Sequence, residues 1–224
     1  TLVALAPDRV ALYGYAHLPE RFKPQRRILA EDLPDGPGRV RMLHDAIARL
    51  TAAGWDYIGM DHFARHGDSL AIAKREGRLH RNFQGYTTHP DYDLIALGAS
   101  AISRVGPHYA QNVRTLDEYY DHVENDRLPV FRGHRMDADD VLRHAIIMAI
   151  MCQGRVDFAA MGEDHLVDVP RYFAAELRQL QPLAAEGLLE LDRAGLSVMP
   201  TGWFVVRAIA RVFDHYARQS QTRA

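Results

Sequence analysis

Apolar residues in the first hundred positions fall into short continuous runs separated by polar stretches, the pattern of strands buried on both faces. Arg9-Val10-Ala11-Leu12-Tyr13-Gly14-Tyr15 is one such run, of strand length. It ends in Ala16-His17-Leu18-Pro19, and a polar, proline-containing excursion follows to about residue 38. Val40, Leu43, Ile47 and Leu50 then recur at three- and four-residue spacing and predict a helix that Gly54 stops. A second strand is expected over 56–60, and a third over Asp93-Leu94-Ile95-Ala96-Leu97-Gly98. Strand–helix–strand order with apolar strands predicts a parallel sheet covered by helices. Such strands need neighbours on both edges, and three cannot close a barrel. The chain does not begin with Met, and Thr1–Ala6 reads as a helix end before Pro7. The expectation is therefore a truncated α/β unit whose other strands lie upstream of Thr1.

Beyond residue 106 the period lengthens. Thr115-Leu116-Asp117-Glu118 fits a capping box and opens a short helix to about Val123. Asp126–Arg135, with Pro129 and Gly133, reads as loop. Asp137 caps a helix carrying Val141, Leu142, Ile146 and Ala149. Asp168, just before Pro170, caps another with Tyr172, Phe173, Leu177 and Leu180, which ends at Gly187. Leu188–Leu191 and Leu196–Val198 flank a hairpin turn at Asp192-Arg193-Ala194-Gly195. Thr201 is expected to cap a last helix with Val206, Ile209, Phe213 and Tyr216 on one face. Helix, helix, hairpin, helix is a winged-helix-like order. The expected organisation is an α/β region at 1–106, a connector at 107–135 and a mostly helical region at 136–224.

Composition narrows the classes. The chain has 224 residues, 47% hydrophobic and 25% charged, with a formal net charge of −2, so no global charge favours nucleic acid. One cysteine, Cys152, excludes an intrachain disulfide and fits a reducing compartment, so a cytoplasmic location is expected. No signal peptide and no apolar stretch of the ~20 residues a membrane span needs is found. Neither an internal repeat nor a low-complexity tract is present.

Chemistry concentrates in residues 57–88, YIGMDHFARHGDSLAIAKREGRLHRNFQGYTT. A short apolar run there turns at once into Asp61-His62-Phe63-Ala64-Arg65, as barrel strands do when they deliver functional side chains at their C-terminal ends. Asp61, His62, His66 and Asp68, followed by His80 and His89, raise a metal site. The preceding strand and Gly67 argue for a loop there, however, and polar groups on a pocket rim are the reading preferred. Arg207, Arg211 and Arg218 invite nucleic acid, but Glu163, Asp164, Asp168, Glu176, Glu186, Glu190 and Asp192 share the region. Arg65, Lys74, Arg75, Arg78, His80 and Arg81 could receive carboxylates or phosphates. Lys74, Arg75 and Glu76 read rather as the solvated face of a short helix, while Arg65 and Arg81 stay open to either role. Phe83 and Tyr86 fit stacking on a ring or packing beneath the loop. The small residues Gly98-Ala99-Ser100-Ala101 permit close backbone approach to a ligand. His17 reads equally as structural or catalytic, and Cys152 as a packed helix residue.

Four segments in order, Tyr15-Ala16-His17-Leu18-Pro19, Gly59-Met60-Asp61-His62-Phe63-Ala64-Arg65, Leu79-His80-Arg81-Asn82-Phe83-Gln84-Gly85-Tyr86-Thr87-Thr88 and Gly98-Ala99-Ser100-Ala101-Ile102-Ser103, carry a resemblance. The chain resembles the oxygen-independent coproporphyrinogen III oxidases, radical S-adenosylmethionine (SAM) enzymes of haem biosynthesis, over essentially its whole length. The resemblance implies the C-terminal part of a partial TIM-like barrel followed by a winged-helix-like helical domain. It implies a [4Fe–4S] cluster bound by a CxxxCxxC motif that this chain lacks, so no catalytic residue and no cofactor bound to these residues alone are expected. By position, Ala16 and Ile102 match SAM contacts of the family, and Phe83 and Gln84 lie beside the same pocket.

The implied substrate, coproporphyrinogen III, loses CO2 from two propionates to give vinyl groups. Its unactivated C–H bond calls for a 5′-deoxyadenosyl radical, chemistry that belongs to the cofactor. Arg65 and Arg81, with His62, are then candidates for the substrate carboxylates. Implied partners are the N-terminal barrel half and an electron donor such as a reduced flavodoxin-like protein. The competing readings are a haem chaperone of the same superfamily, a winged-helix DNA-binding regulator and a metal-dependent hydrolase.

Overall fold

In the computed structural model, which describes residues 2–90 and 92–217, the chain divides into two units, Thr1–Gly77 and Arg78–Ala224. Thr1 and Arg218, both invoked above, lie outside the described residues.

The first unit runs α1 (Leu2–Leu5), β1 (Arg9–Ala11), α2 (Gly36–Ala52), β2 (Trp55–Gly59), β3 (His62–Arg65) and α3 (Ser69–Arg75). Helix α2 starts where Asp35 accepts from the Gly38 N–H at 2.7 Å, with a proline in its first turn. It ends before Gly54, whose φ of +93° suits glycine. Strand β2 then reverses within two residues, because Gly59 (φ +151°) and Met60 (φ +54°) adopt positive φ. Such a tight reversal can only yield an antiparallel neighbour.

The sheet order is β1-β3-β2, and both pairings are antiparallel. This corrects the parallel sheet expected from the apolar runs. All strand pairs among the described residues are antiparallel. Asp61–Arg65 is likewise not a loop leaving a strand end but the turn and return strand of a hairpin. The first apolar run keeps strand geometry only over Arg9–Ala11, and Leu12–Tyr15 is exposed and irregular. Leu50, Trp55 and Phe63 form one core cluster of this unit, with Val10, Ile47, Ala53 and Tyr57 packed on it.

The second unit opens with the hairpin β4 (His80–Asn82) and β5 (Gly85–Thr87), then β6 (Ile102–Val105), β7 (His108–Asn112), α4 (Leu116–Glu124) and β8 (Val130–Arg135). The expected buried strand at Asp93–Gly98 is absent: one isolated bridge joins Leu94 to Arg104, and Ile95 and Leu97 are exposed. The region taken as loop contains β8. Pro129 and Gly133 are tolerated because β8 is the edge strand of the order β6-β7-β8. Thr115 caps α4 as expected, its hydroxyl also donating to Glu118 at 2.7 Å.

Helix α5 (Ala138–Gln153) follows, with the Asp137–Asp140 capping box at its start and left-handed Gly154 (φ +66°) at its end. Then come β9 (Arg155–Asp157), α6 (Phe158–His165), α7 (Val169–Tyr172), α8 (Ala174–Ala185), β10 (Leu189–Leu191), β11 (Gly195–Val198) and α9 (Val206–Arg211). The hairpin turn forms as expected, with Asp192 accepting from the N–H groups of Ala194 and Gly195 at 2.8 and 2.9 Å. Its second strand also pairs with β9, giving the order β10-β11-β9. Thr201 does not cap the last helix. It lies inside a 3-10 turn, Pro200–Val205, and its hydroxyl donates to the Gly187 carbonyl.

Arg143 ties this unit together. Its Nε donates to Asp139 at 2.7 Å, and its Nη1 donates to Glu176 and to the Phe213 carbonyl, both at 3.1 Å. Glu176 is one of the buried polar residues. A carboxylate is tolerated there because the guanidinium compensates its charge. Replacing Gly154 by Ala would place a Cβ 2.6 Å from the Trp203 ring on a backbone with φ of +66°. Urea unfolding should show a loss of about 1–3 kcal/mol.

Candidate functional site

In the first unit the register of β2 against β3 jumps from Tyr57↔Phe63 to Gly59↔His62, leaving Ile58 as the extra, fully buried residue of a bulge. The Lys74 ammonium donates to the carbonyls of Tyr57 and Ile58 at 2.7 and 2.8 Å. Lys74 is thus a half-buried peg and not a solvated side chain. Burial lowers its pKa to about 8, opposed by Asp56. Burial, with Asp61 adding, pushes the Tyr57 phenol up to about 12, and its O–H donates to the Met60 carbonyl at 2.9 Å. A cleft of about 520 Å³ lined by Trp55, Tyr57, His66, Lys74 and Arg75 opens beside this network.

Arg65 is committed to the fold. It stands opposite Trp55 in the sheet, and its guanidinium carbon lies 3.5 Å from the centroid of the Trp55 ring. One of its nitrogens donates to the Ala53 carbonyl at 3.0 Å, closing the end of α2. His62 pairs with the Asp61 carboxylate at 2.7 Å and meets the Tyr13 ring edge-on. His66 turns to Asp56 at 3.2 Å, and Asp68 caps α3 while holding Arg9 at 2.9 Å. Among the described residues no group of three His, Cys, Asp or Glu side chains could hold a metal ion.

Ala16 lies in the exposed stretch after β1. The Leu12 N–H donates to the Asp61 carbonyl at 2.7 Å, so this stretch leaves the sheet beside His62. Gln25 then clamps it: Oε1 accepts from the Leu18 N–H at 2.6 Å, and Nε2 donates to the Ala16 carbonyl at 3.1 Å.

In the second unit Phe83 and Gln84 form the tip of the β4–β5 hairpin, where Asn82 accepts from the Gln84 N–H at 2.9 Å. Phe83 is 53% exposed and meets Tyr109 edge-on at 5.6 Å. Arg104, two residues after Ile102 on β6, covers the same Tyr109 ring at 5.7 Å. Phe83 thus packs against a ring of the β6-β7-β8 sheet that carries Ile102, while itself belonging to the separate β4–β5 hairpin. Arg81 is half-buried, and among the described residues its guanidinium has no hydrogen bond or ion pair. Tyr86 is buried, and its O–H donates to the Met151 carbonyl at 2.9 Å, which settles it as a packing residue. Cys152 is buried; burial raises its thiol pKa to about 12, and the Arg81 charge opposes the shift only weakly.

Two residues that sequence reasoning passed over organise these positions. One is Gln25. The other is buried Asn112, whose amide donates to the carbonyls of Gly98 and Ala96 at 2.9 and 3.4 Å. With Gly98 at φ +103° and Ser100 at φ +61°, Asn112 fixes the turn that leads into Ile102. Polar residues with no periodicity around them carry no local signal, so only their partners reveal them.

Residues 136–205 match the family described as HemN C-terminal domain. The chain is 44% identical over 215 residues to the oxygen-independent coproporphyrinogen III oxidase of Escherichia coli (strain K12), covering 96% of this chain and 47% of that protein. It is 44% identical over 220 residues to that of Thermostichus vulcanus, covering 98% of this chain and 68% of that protein. The chain thus spans about half the length of several curated relatives it matches. A solved structure of E. coli coproporphyrinogen III oxidase (HemN), described as a radical SAM enzyme, superposes with a TM-score of 0.91 at 43% identity, covering 96% of this chain and 50% of that one.

Arg65→Ala should lower the stability of the first unit by roughly 1–3 kcal/mol in urea unfolding, since it removes both the stacking on Trp55 and the bond to Ala53. Cys152 predicts an alkaline decline. The unfolded thiol ionises near 9.0, while the folded thiol keeps its proton to about 12. Between these values the unfolded state binds fewer protons, so stability falls as pH rises, by about 1.4 kcal/mol per unit. The stability difference between wild type and Cys152→Ala should be nearly flat at about pH 8 and approach this slope above about pH 9.5.

Proposed function

The chain belongs to the family of oxygen-independent coproporphyrinogen III oxidases, and we propose that it serves the oxidative decarboxylation of two propionates of coproporphyrinogen III to vinyl groups, giving protoporphyrinogen IX. The observation that carries this reading is the superposition on E. coli HemN at a TM-score of 0.91 over 96% of the chain, together with 43% identity.

The residues do not fit an iron–sulfur cluster. The one cysteine is buried at the end of α5, and burial holds its thiol protonated. A [4Fe–4S] cluster requires several thiolates, so no step is assigned to one here. The reading therefore needs a cluster-binding N-terminal barrel half besides these residues, and a low-potential donor such as a reduced flavodoxin-like protein.

SAM is the cofactor this reading calls for, and when bound it would supply the 5′-deoxyadenosyl radical. In the first unit Gln25 holds the backbone at Ala16 for such a contact, and in the second unit Asn112 holds the turn that leads into Ile102. Phe83, exposed at a hairpin tip with its ring braced by Tyr109, suits stacking against an adenine. Gln84 would lie beside it. The substrate's carboxylates would be met by Arg81 and by His62, whose imidazole the Asp61 carboxylate orients. Arg65, stacked on Trp55, would support the fold and not the substrate.

In architecture we propose that residues 1–106 form the C-terminal part of a partial TIM-like barrel, 107–135 a connector and 136–224 a winged-helix-like domain. Strand β1 has an open edge among the described residues, where a parallel neighbour would pair. The family match beginning at residue 136 supports the second boundary. No described helix is long and apolar enough to cross a membrane, and a cytoplasmic enzyme is the reading adopted.

The test is anaerobic turnover by a polypeptide that joins this chain to a cluster-binding half, read as protoporphyrinogen formed and CO2 released. Arg81→Ala and His62→Ala should each raise the KM for coproporphyrinogen III by roughly tenfold. Wild-type KM and kcat in both would remove these two residues from the site.

A further inference from the structure

Arg21, Lys23, Arg26 and Arg27 place four cations within seven residues of the first unit, with no acid from Arg21 to Leu29. All four are exposed, and among the described residues none is in a salt bridge. Glu20 precedes the segment and Glu31 and Asp32 follow it, without an ion pair to any of the four.

This segment is pinned. Its 3-10 turn, Lys23–Arg27, carries Gln25, which binds both the Ala16 carbonyl and the Leu18 N–H. Arg26 Nε donates to the Pro19 carbonyl at 3.0 Å, and the N–H groups of Arg21 and Phe22 donate to the Leu18 carbonyl at 3.0 and 2.9 Å. Five hydrogen bonds therefore fix the cationic turn on the backbone of residues 16–19. Holding like charges together in one rigid turn is unfavourable without an anion to neutralise them. Guanidinium groups bind carboxylates through two parallel hydrogen bonds, and Arg26, with Nε committed to Pro19, still has both terminal nitrogens for that purpose.

We propose that the Arg21–Arg27 turn is a carboxylate-receiving ledge of the substrate site, with Arg26 and Arg27 binding propionates of the tetracarboxylate and Gln25 as the positioning residue that holds the ledge beside Ala16. The inference rests on the functional reading above, and it supplies the cation that Arg65, occupied by Trp55, does not.

The holoenzyme is titrated with coproporphyrin III, followed by porphyrin fluorescence, with the tetramethyl ester as the uncharged control. Arg26→Ala/Arg27→Ala should weaken the tetraacid by roughly tenfold to a hundredfold and leave the ester unchanged. The KM for coproporphyrinogen III should rise in parallel while the KM for SAM stays at the wild-type value. Gln25→Ala should weaken the tetraacid by a few-fold with an unchanged Tm, a pattern that a purely structural residue would not give. Wild-type binding of the tetraacid by the double variant would overturn the ledge while leaving the functional reading intact. A wild-type holoenzyme that binds neither SAM nor the tetraacid would overturn both.

Discussion

The stack of Arg65 on Trp55 governs the first unit. The indole is buried, its N–H donates to the Pro7 carbonyl at 3.0 Å, and Leu50 and Phe63 pack around it. Its exposed side is closed by a guanidinium that also terminates α2 at Ala53. These two side chains thus join the N-terminal segment, the helix and both strands of the hairpin. The arrangement works because Met60 and Asp61 turn the chain back on itself, bringing residue 65 opposite residue 55. A charge that looks available for a ligand is thereby spent on the core.

The second unit solves a similar problem with an ion pair. Arg143 collects Asp139, Glu176 and the Phe213 carbonyl. Burial works against ionising Asp139, yet bonds from Arg143 and Tyr172 hold its carboxyl below the usual range. Removing either end would leave a desolvated charge, which is why such networks give one arrangement in preference to several. In both units a cation next to the core, Arg65 in the first and Arg143 in the second, is consumed by structure.

The thiol is buried and burial holds its proton, so Cys152 is not poised as a thiolate ligand. The chain's surface is unusually apolar in places, with Leu97 at 84% and Leu128 at 83% exposure. The backbone segments proposed to face a cofactor are held by amide side chains, Gln25 on Ala16 and Asn112 on Gly98. A neutral clamp fixes geometry without itself adding charge.

By itself the sequence determined whatever depends on near neighbours. The capped starts of α4 and α5, the stop of α2 at Gly54 and the turn at Asp192 all follow from residues within a few positions of one another, and each forms as read. The segments carrying the family resemblance were equally legible, because they are contiguous. Strand direction was not, since an apolar run looks the same in a parallel or an antiparallel sheet. Nor was the fate of individual cations: Arg65 meets Trp55 ten residues away, Lys74 meets Tyr57, and Arg143 meets Glu176 across 33 positions. Only the tertiary structure decided these, because whether a charge is free or occupied depends on which distant carbonyl, ring or carboxylate the fold brings within reach.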